Sequence, residues 1–169
     1  MRAGTYTELL DFNGKAITVF GESGAGATII QGGGSGPVVR FDSGEPAKSV
    51  LSGFTIRAGA VPFGYGGGIY CAGSEPTLRG LIVQDNSAQW GGGLAVVTGS
   101  PRVEACTIFE NTVTGSSGRQ GANVYIGNAD PHFIDCTIAG DSSGSSSGAF
   151  EGGGVFITGS SFYQVKIER

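Results

Sequence analysis

What this chain has little of excludes more than what it has. It holds one histidine, one tryptophan and three cysteines, and only 14% of its residues are charged. No Ser-His-Asp set, phosphate loop or HExxH pattern occurs, so no cofactor is called for. Cys71, Cys106 and Cys136 are an odd number without CxxC spacing, which argues against a zinc site and against a full disulfide framework. Buried free thiols are the expectation. With a net charge of −4 and no Lys/Arg cluster, nothing is there to neutralise a phosphate backbone, and nucleic acid is excluded as a partner. No apolar run approaches the ~18 residues of a membrane span. No signal-peptide pattern is read at Met1-Arg2-Ala3-Gly4. Windows of helical length are broken throughout by Gly, Ser or Pro.

What is abundant is glycine, 33 residues of 169, without the period of three that marks collagen. It accompanies short apolar runs, so the composition is that of a folded, many-cornered β chain.

The corners repeat. Pro76, Pro101 and Pro131 stand 25 and 30 residues apart. After them come apolar positions in the same order: Leu78, Val103, Phe133; then Leu81, Cys106, Cys136; then Val83, Ile108, Ile138. Asn86, Asn111 and Asp141 close each unit, and an earlier copy reads Leu51, Phe54, Ile56, Gly59. The triplets at 66–68 and 91–93 recur as Gly121-Ala122-Asn123 and Gly152-Gly153-Gly154. Apolar residues follow each, as Ile69, Leu94, Val124, Val155 and then Cys71, Val96, Ile126, Ile157.

A unit of ~25 residues with only short strands cannot bury its own apolar face, but stacked units can. The spacing therefore predicts a parallel β-helix over residues 1–169, of about six coils. Asn tolerates the left-handed backbone of a sharp corner, and stacked amides can bond along the rod, so Asn86, Asn111 and Asp141 form a predicted ladder.

The stretches GGGIY, SEPTLRGLIVQDN, GGGLAVV, SPRVEACTIFEN and ADPHFIDCTIAGD resemble the single-stranded right-handed parallel β-helices of the pectin-lyase-like class. The GGG and Asn pairing is similar to repeats of polymorphic outer-membrane proteins and related bacterial surface proteins. The resemblance covers nearly the whole chain and implies an extracellular or cell-surface setting. Its fold hosts lyases, hydrolases, adhesins and spacers alike. The abrupt start and finish suggest a piece of a longer exported chain, uncapped at one or both ends, or self-association through an exposed coil end.

Inward positions offer no chemistry, so function is expected on outward columns and corner loops. The segment between the Asn and glycine columns varies most in length: 60–65, 87–90, 112–120 and 142–151. It carries Phe63, Tyr65, Trp90, Arg119, Gln120, Phe150 and Glu151, aromatics beside polar groups that suit a glycan or a protein. Covering the glycine-rich wall is the competing role. Tyr70, Ala95, Tyr125 and Phe156 form an outward strip, either a dimer face or packing beneath those loops.

Catalytic candidates are thin. β-Helix lyases use acidic calcium ligands and a base. Asp85, Glu110 and Asp141 share a corner and are weak calcium candidates. Glu104 and Asp135 lie near Arg79 and Arg102, and His132 stacks with Thr77 and Arg102. No pair has motif spacing, and solvated surface charge is the plainer role. Thr55, Thr107 and Thr137 share an outward column too irregular for an ice-binding array. The reading is a non-catalytic module that binds glycan or protein through stacked corner loops. The alternatives are a polysaccharide lyase or glycoside hydrolase, or its remnant, and a structural spacer.

Overall fold

The computed structural model describes residues 1–115, 118–139, 150–151, 154–159 and 166–168. They form a parallel β-solenoid. Each pass of the chain lays a strand on successive walls, and each strand pairs in parallel with its equivalent one pass away. The first wall stacks Gly4–Thr7, Thr28–Gln31, Thr55–Arg57, Ile82–Val83, Thr107–Phe109 and Thr137–Ala139. Six strands in that stack make about five full turns from first to last, slightly fewer than the repeat count suggested. No helix among the described residues is long and apolar enough to cross a membrane.

The repeat columns become the core. On the first wall Ile30, Ile56, Val83 and Ile108 stack in register, each at most 1% exposed. On the third wall, Ile69–Ala72, Leu94–Val97 and Val124–Gly127 bring Cys71, Val96 and Ile126 inward. On the fourth, Val50–Ser52, Thr77–Arg79, Arg102–Glu104 and His132–Ile134 contribute Leu51, Leu78, Val103 and Phe133. Each fully buried Leu, Ile, Val or Phe is worth roughly 1.5–3 kcal/mol, and neighbouring passes share that burial.

The variable segment is the second wall rather than a set of loops. Ala60–Tyr65 and Ser87–Trp90 pair in parallel, and Ser87–Trp90 continues to Thr112–Val113 and Arg119–Gln120. The reason is alternation: Ala88 and Val113 point inward and are buried, which ties these short strands to the core. Residues 142–149 lie outside the described set.

The asparagine corner works differently from the expectation. The left-handed residue is the one before the column: Asp85 at φ 54° and Glu110 at 52°, with Ala58 at 58° before Gly59 in the earlier copy. Asn86 and Asn111 are instead freed to turn their amides inward, at 2% and 0% exposure. Asn86 Nδ2 donates to Ile56 O, Gln84 O and Asn111 Oδ1, and the Gly59 amide donates to Asn86 Oδ1 at 3.0 Å. Asn111 Nδ2 donates in turn to Val83 O, Phe109 O and Asn123 Oδ1. The next rung is thus Asn123, from the glycine column. Asp141 lies outside the described residues.

The third glycine of each triplet leaves room for the next amide. A Cβ on Gly93 would sit 2.7 Å from Asn111 Nδ2 and 2.6 Å from Asn123 O. At the equivalent position of the next pass the chain carries Asn123, whose own side chain points into that space.

A buried carboxylate binds the first three passes together. Glu45 is 1% exposed. It accepts from Gly14 N at 2.8 Å, Ser43 N at 3.0 Å and Ser74 Oγ at 2.8 Å. Burial alone would raise its pKa, but these donors outweigh it and hold the carboxyl below its usual range.

Candidate functional site

The aromatic residues of the second and third walls meet in one seam. On the third wall the outward column reads Arg40, Tyr70, Ala95, Tyr125, Phe156. Ala95 leaves a gap between two tyrosines, and Tyr65 fills it from the neighbouring wall. Its ring centroid lies 6.3 Å from Tyr70 and 5.4 Å from Tyr125. Trp90 stacks on Tyr65 at 4.7 Å and 26°, and Phe156 stacks on Tyr125 at 5.9 Å. Arg40 caps the other end, its guanidinium 5.8 Å from the Tyr70 centroid and paired with Asp42. Burial raises the pKa of both Tyr70 and Tyr125.

This seam explains where the sequence candidates fall. Tyr65 and Trp90 are side by side, half-buried, and packed into the seam. Phe63 stands apart at 83% exposure. Arg119 is 3% exposed, so it offers little outer surface, while Gln120 pairs with Trp90 along the wall. The backbones of Phe150 and Glu151 pair with Arg119 and Gln120.

The acidic candidates do not converge. Asp85 and Glu110 are exposed corner residues in left-handed backbone, and Gln84 Nε2 donates to Asp85 at 2.9 Å. Asp135 is a left-handed corner residue on another edge. Among the described residues no group of three His, Cys, Asp or Glu side chains could hold a metal ion. Glu104 is committed to two arginines, Arg79 at 2.6 Å and Arg102. Arg102, then Arg79, hold its carboxyl below the usual range.

A concavity lies at a different corner, between the third and fourth walls. It is an open groove of about 500 Å³, lined by Ala47, Glu75, Thr77, Ser100, Arg102, Asp130 and His132. The lining follows from the repeat. Glu75, Ser100 and Asp130 each precede a proline, and Thr77, Arg102 and His132 each follow one. The second set is in strict register on the fourth wall, Thr77 to Arg102 to His132. Rung bonds fix the spacing: Arg102 N donates to Pro76 O and His132 N to Pro101 O, both at 2.9 Å. Thr77 is buried because its hydroxyl donates to Ala47 O at 3.0 Å. One column thus presents carboxylates and a hydroxyl, the other the His132 imidazole beside an Arg102 guanidinium paired with Glu104, at strand spacing along the rod.

Of these residues, sequence reasoning singled out His132, Arg102 and Thr77 but not Glu75, Ser100 or Asp130. The missed signal was the position before each repeat proline, which is polar in all three units.

The fold and the groove define a parallel β-solenoid with a polar flank site. Compared with known protein families, curated proteins and solved structures, the chain finds no match.

Proposed function

We propose that the chain is a non-catalytic module of the pectin-lyase-like β-helix class, working outside the cell or on its surface, and that it binds an extended glycan along its flank. The observation that carries this reading is the groove between the third and fourth walls. Its two polar columns, Glu75–Ser100–Asp130 and Thr77–Arg102–His132, place acceptors and donors at repeated rungs. A chain of sugar hydroxyls, each both donor and acceptor, is the ligand such a surface suits. Trp90 and Tyr65 give a second, apolar contact at the other edge of the third wall.

The test is isothermal titration of neutral and acidic polysaccharides into the protein, with each mixture assayed for new chain ends. Binding without cleavage, lost in Asp130→Asn or His132→Ala and retained in Trp90→Ala, supports the groove. Loss in Trp90→Ala alone moves the site to the aromatic corner. Silence across the panel favours a spacer.

One observation favours a second reading, a glycoside hydrolase. Glu75 and Asp130 are two rungs apart, roughly 10 Å between backbones at the ordinary ~4.8 Å strand spacing. That is near the roughly 6.5–9.5 Å between carboxyls that inverting hydrolysis uses. New reducing ends, abolished by Glu75→Gln, would establish it.

A further inference from the structure

Cys106 and Cys136 occupy the same position on adjacent passes. The backbone amide of Thr137 donates to Cys106 O at 2.9 Å, and the flanking pairs Glu104–Ile134 and Thr107–Thr137 are in register. At ~4.8 Å strand spacing their Cα atoms fall within the ~4.4–6.8 Å that a disulfide spans. The Cys136 sulfur leans back toward the earlier pass, 3.3 Å from Val103 O. Both are free in this structure.

The two thiols are not equivalent. Cys106 is 2% exposed, whereas Cys136 is half-buried. The neighbouring Cys106 thiol brings the pKa of Cys136 down to about 6, and Cys136 correspondingly raises that of Cys106. Cys71, the third cysteine, is buried, and desolvation pushes it up to about 12.

We propose that Cys136 and Cys106 are a thiol–disulfide exchange site for low-molecular-weight disulfides, with Cys136 as the attacking thiol and Cys106 as the resolving one. The Cys136 thiolate attacks one sulfur of the small disulfide RSSR. The S–S bond breaks, and RS⁻ leaves and takes up the proton that Cys136 gave up. The Cys106 thiolate then attacks the Cys136 sulfur of the mixed disulfide. The second RS⁻ leaves with the Cys106 proton. Two protein thiols lose two electrons, one small disulfide gains them, and a bridge joins adjacent passes. In-register side chains hold their Cβ atoms near the strand spacing, wider than the ~3.8 Å mean of relaxed disulfides, so the bridge is readily reversed.

The experiment treats the native chain with oxidised glutathione, quenches with N-ethylmaleimide at intervals, and maps peptides without reduction. The expected course is a transient glutathione adduct on Cys136, then a Cys106–Cys136 linked peptide, with Cys71 alkylated only after denaturation. Cys106→Ala should accumulate the Cys136 adduct. If that variant does not fold, the early wild-type time points carry the same information. Both thiols remaining alkylatable, a first adduct on Cys106 or Cys71, or a wild-type adduct that never resolves would each overturn the proposal.

Discussion

Asn111 Nδ2 donates to Asn123 Oδ1 at 3.0 Å, across 12 residues of chain, so an asparagine column and a glycine column share one amide ladder. Asn111 is fully buried, and its Oδ1 also accepts from Asn86 N and Nδ2. Asn111→Ala leaves several of these groups without partners. At ~1–3 kcal/mol for a buried unsatisfied group, the loss should reach about 2–4 kcal/mol after partial relaxation. Urea unfolding measures it, and a loss under about 1 kcal/mol would show that the ladder is dispensable.

Gly93→Ala should destabilise by about 1–3 kcal/mol, the usual range for overpacking. Its Cβ would meet Asn123 O at 2.6 Å, a backbone atom that cannot step aside. Gly33→Ala is the control, because nothing lies within 4 Å of a Cβ built there. Equal midpoints for the two variants would refute the packing argument.

Glu45 makes the fold acid-sensitive. Its folded pKa is depressed below the unfolded value. The stability it adds is therefore fully present above the unfolded carboxyl pKa of ~4.3 and is lost as pH falls through the folded value. Thermal midpoints taken from pH 6 downward should fall less steeply in Glu45→Gln than in the wild type. Parallel curves would assign the acid sensitivity to other carboxylates.

Tyr65→Ala should cost about 2–3 kcal/mol, less than a fully buried aromatic because Tyr65 is half-buried. It also removes the ring stacked on Trp90. The emission of this lone tryptophan should shift to the red. An unshifted spectrum would show that Tyr65 does not shield it.

The fold was legible because its signal is periodic. Leu78, Val103 and Phe133 announce one inward column by position alone, and the structure stacks them in register. The wall at 87–90 was harder to see: Ala88 is its one buried residue, and the register shifts before Trp90, too short a run for alternation to show. The aromatic seam combined two columns that sequence spacing kept apart, because Tyr65 reaches the gap at Ala95 through space. Glu45 carried little local signal, since two of its three donors, Gly14 and Ser74, lie 31 and 29 residues away. The groove hid in the polar residues before each proline, which look like ordinary turn residues one unit at a time.

The packing of Gly93 beneath Asn111 also fixes where the chain can be cut and recombined. A glycine is required in one pass because of an asparagine in the pass that follows, so the two have to be kept together. A cassette running from one proline to the next, Pro76 to Pro101, carries Gly93 away from its asparagine. One cut between Asn111 and Gly121 keeps Gly68 with Asn86 and Gly93 with Asn111. A pass joined behind Gly93 at a proline should be tolerated where it brings an asparagine to the Asn111 position, as the Asn86 pass does, and should fail where it brings a bulkier side chain there.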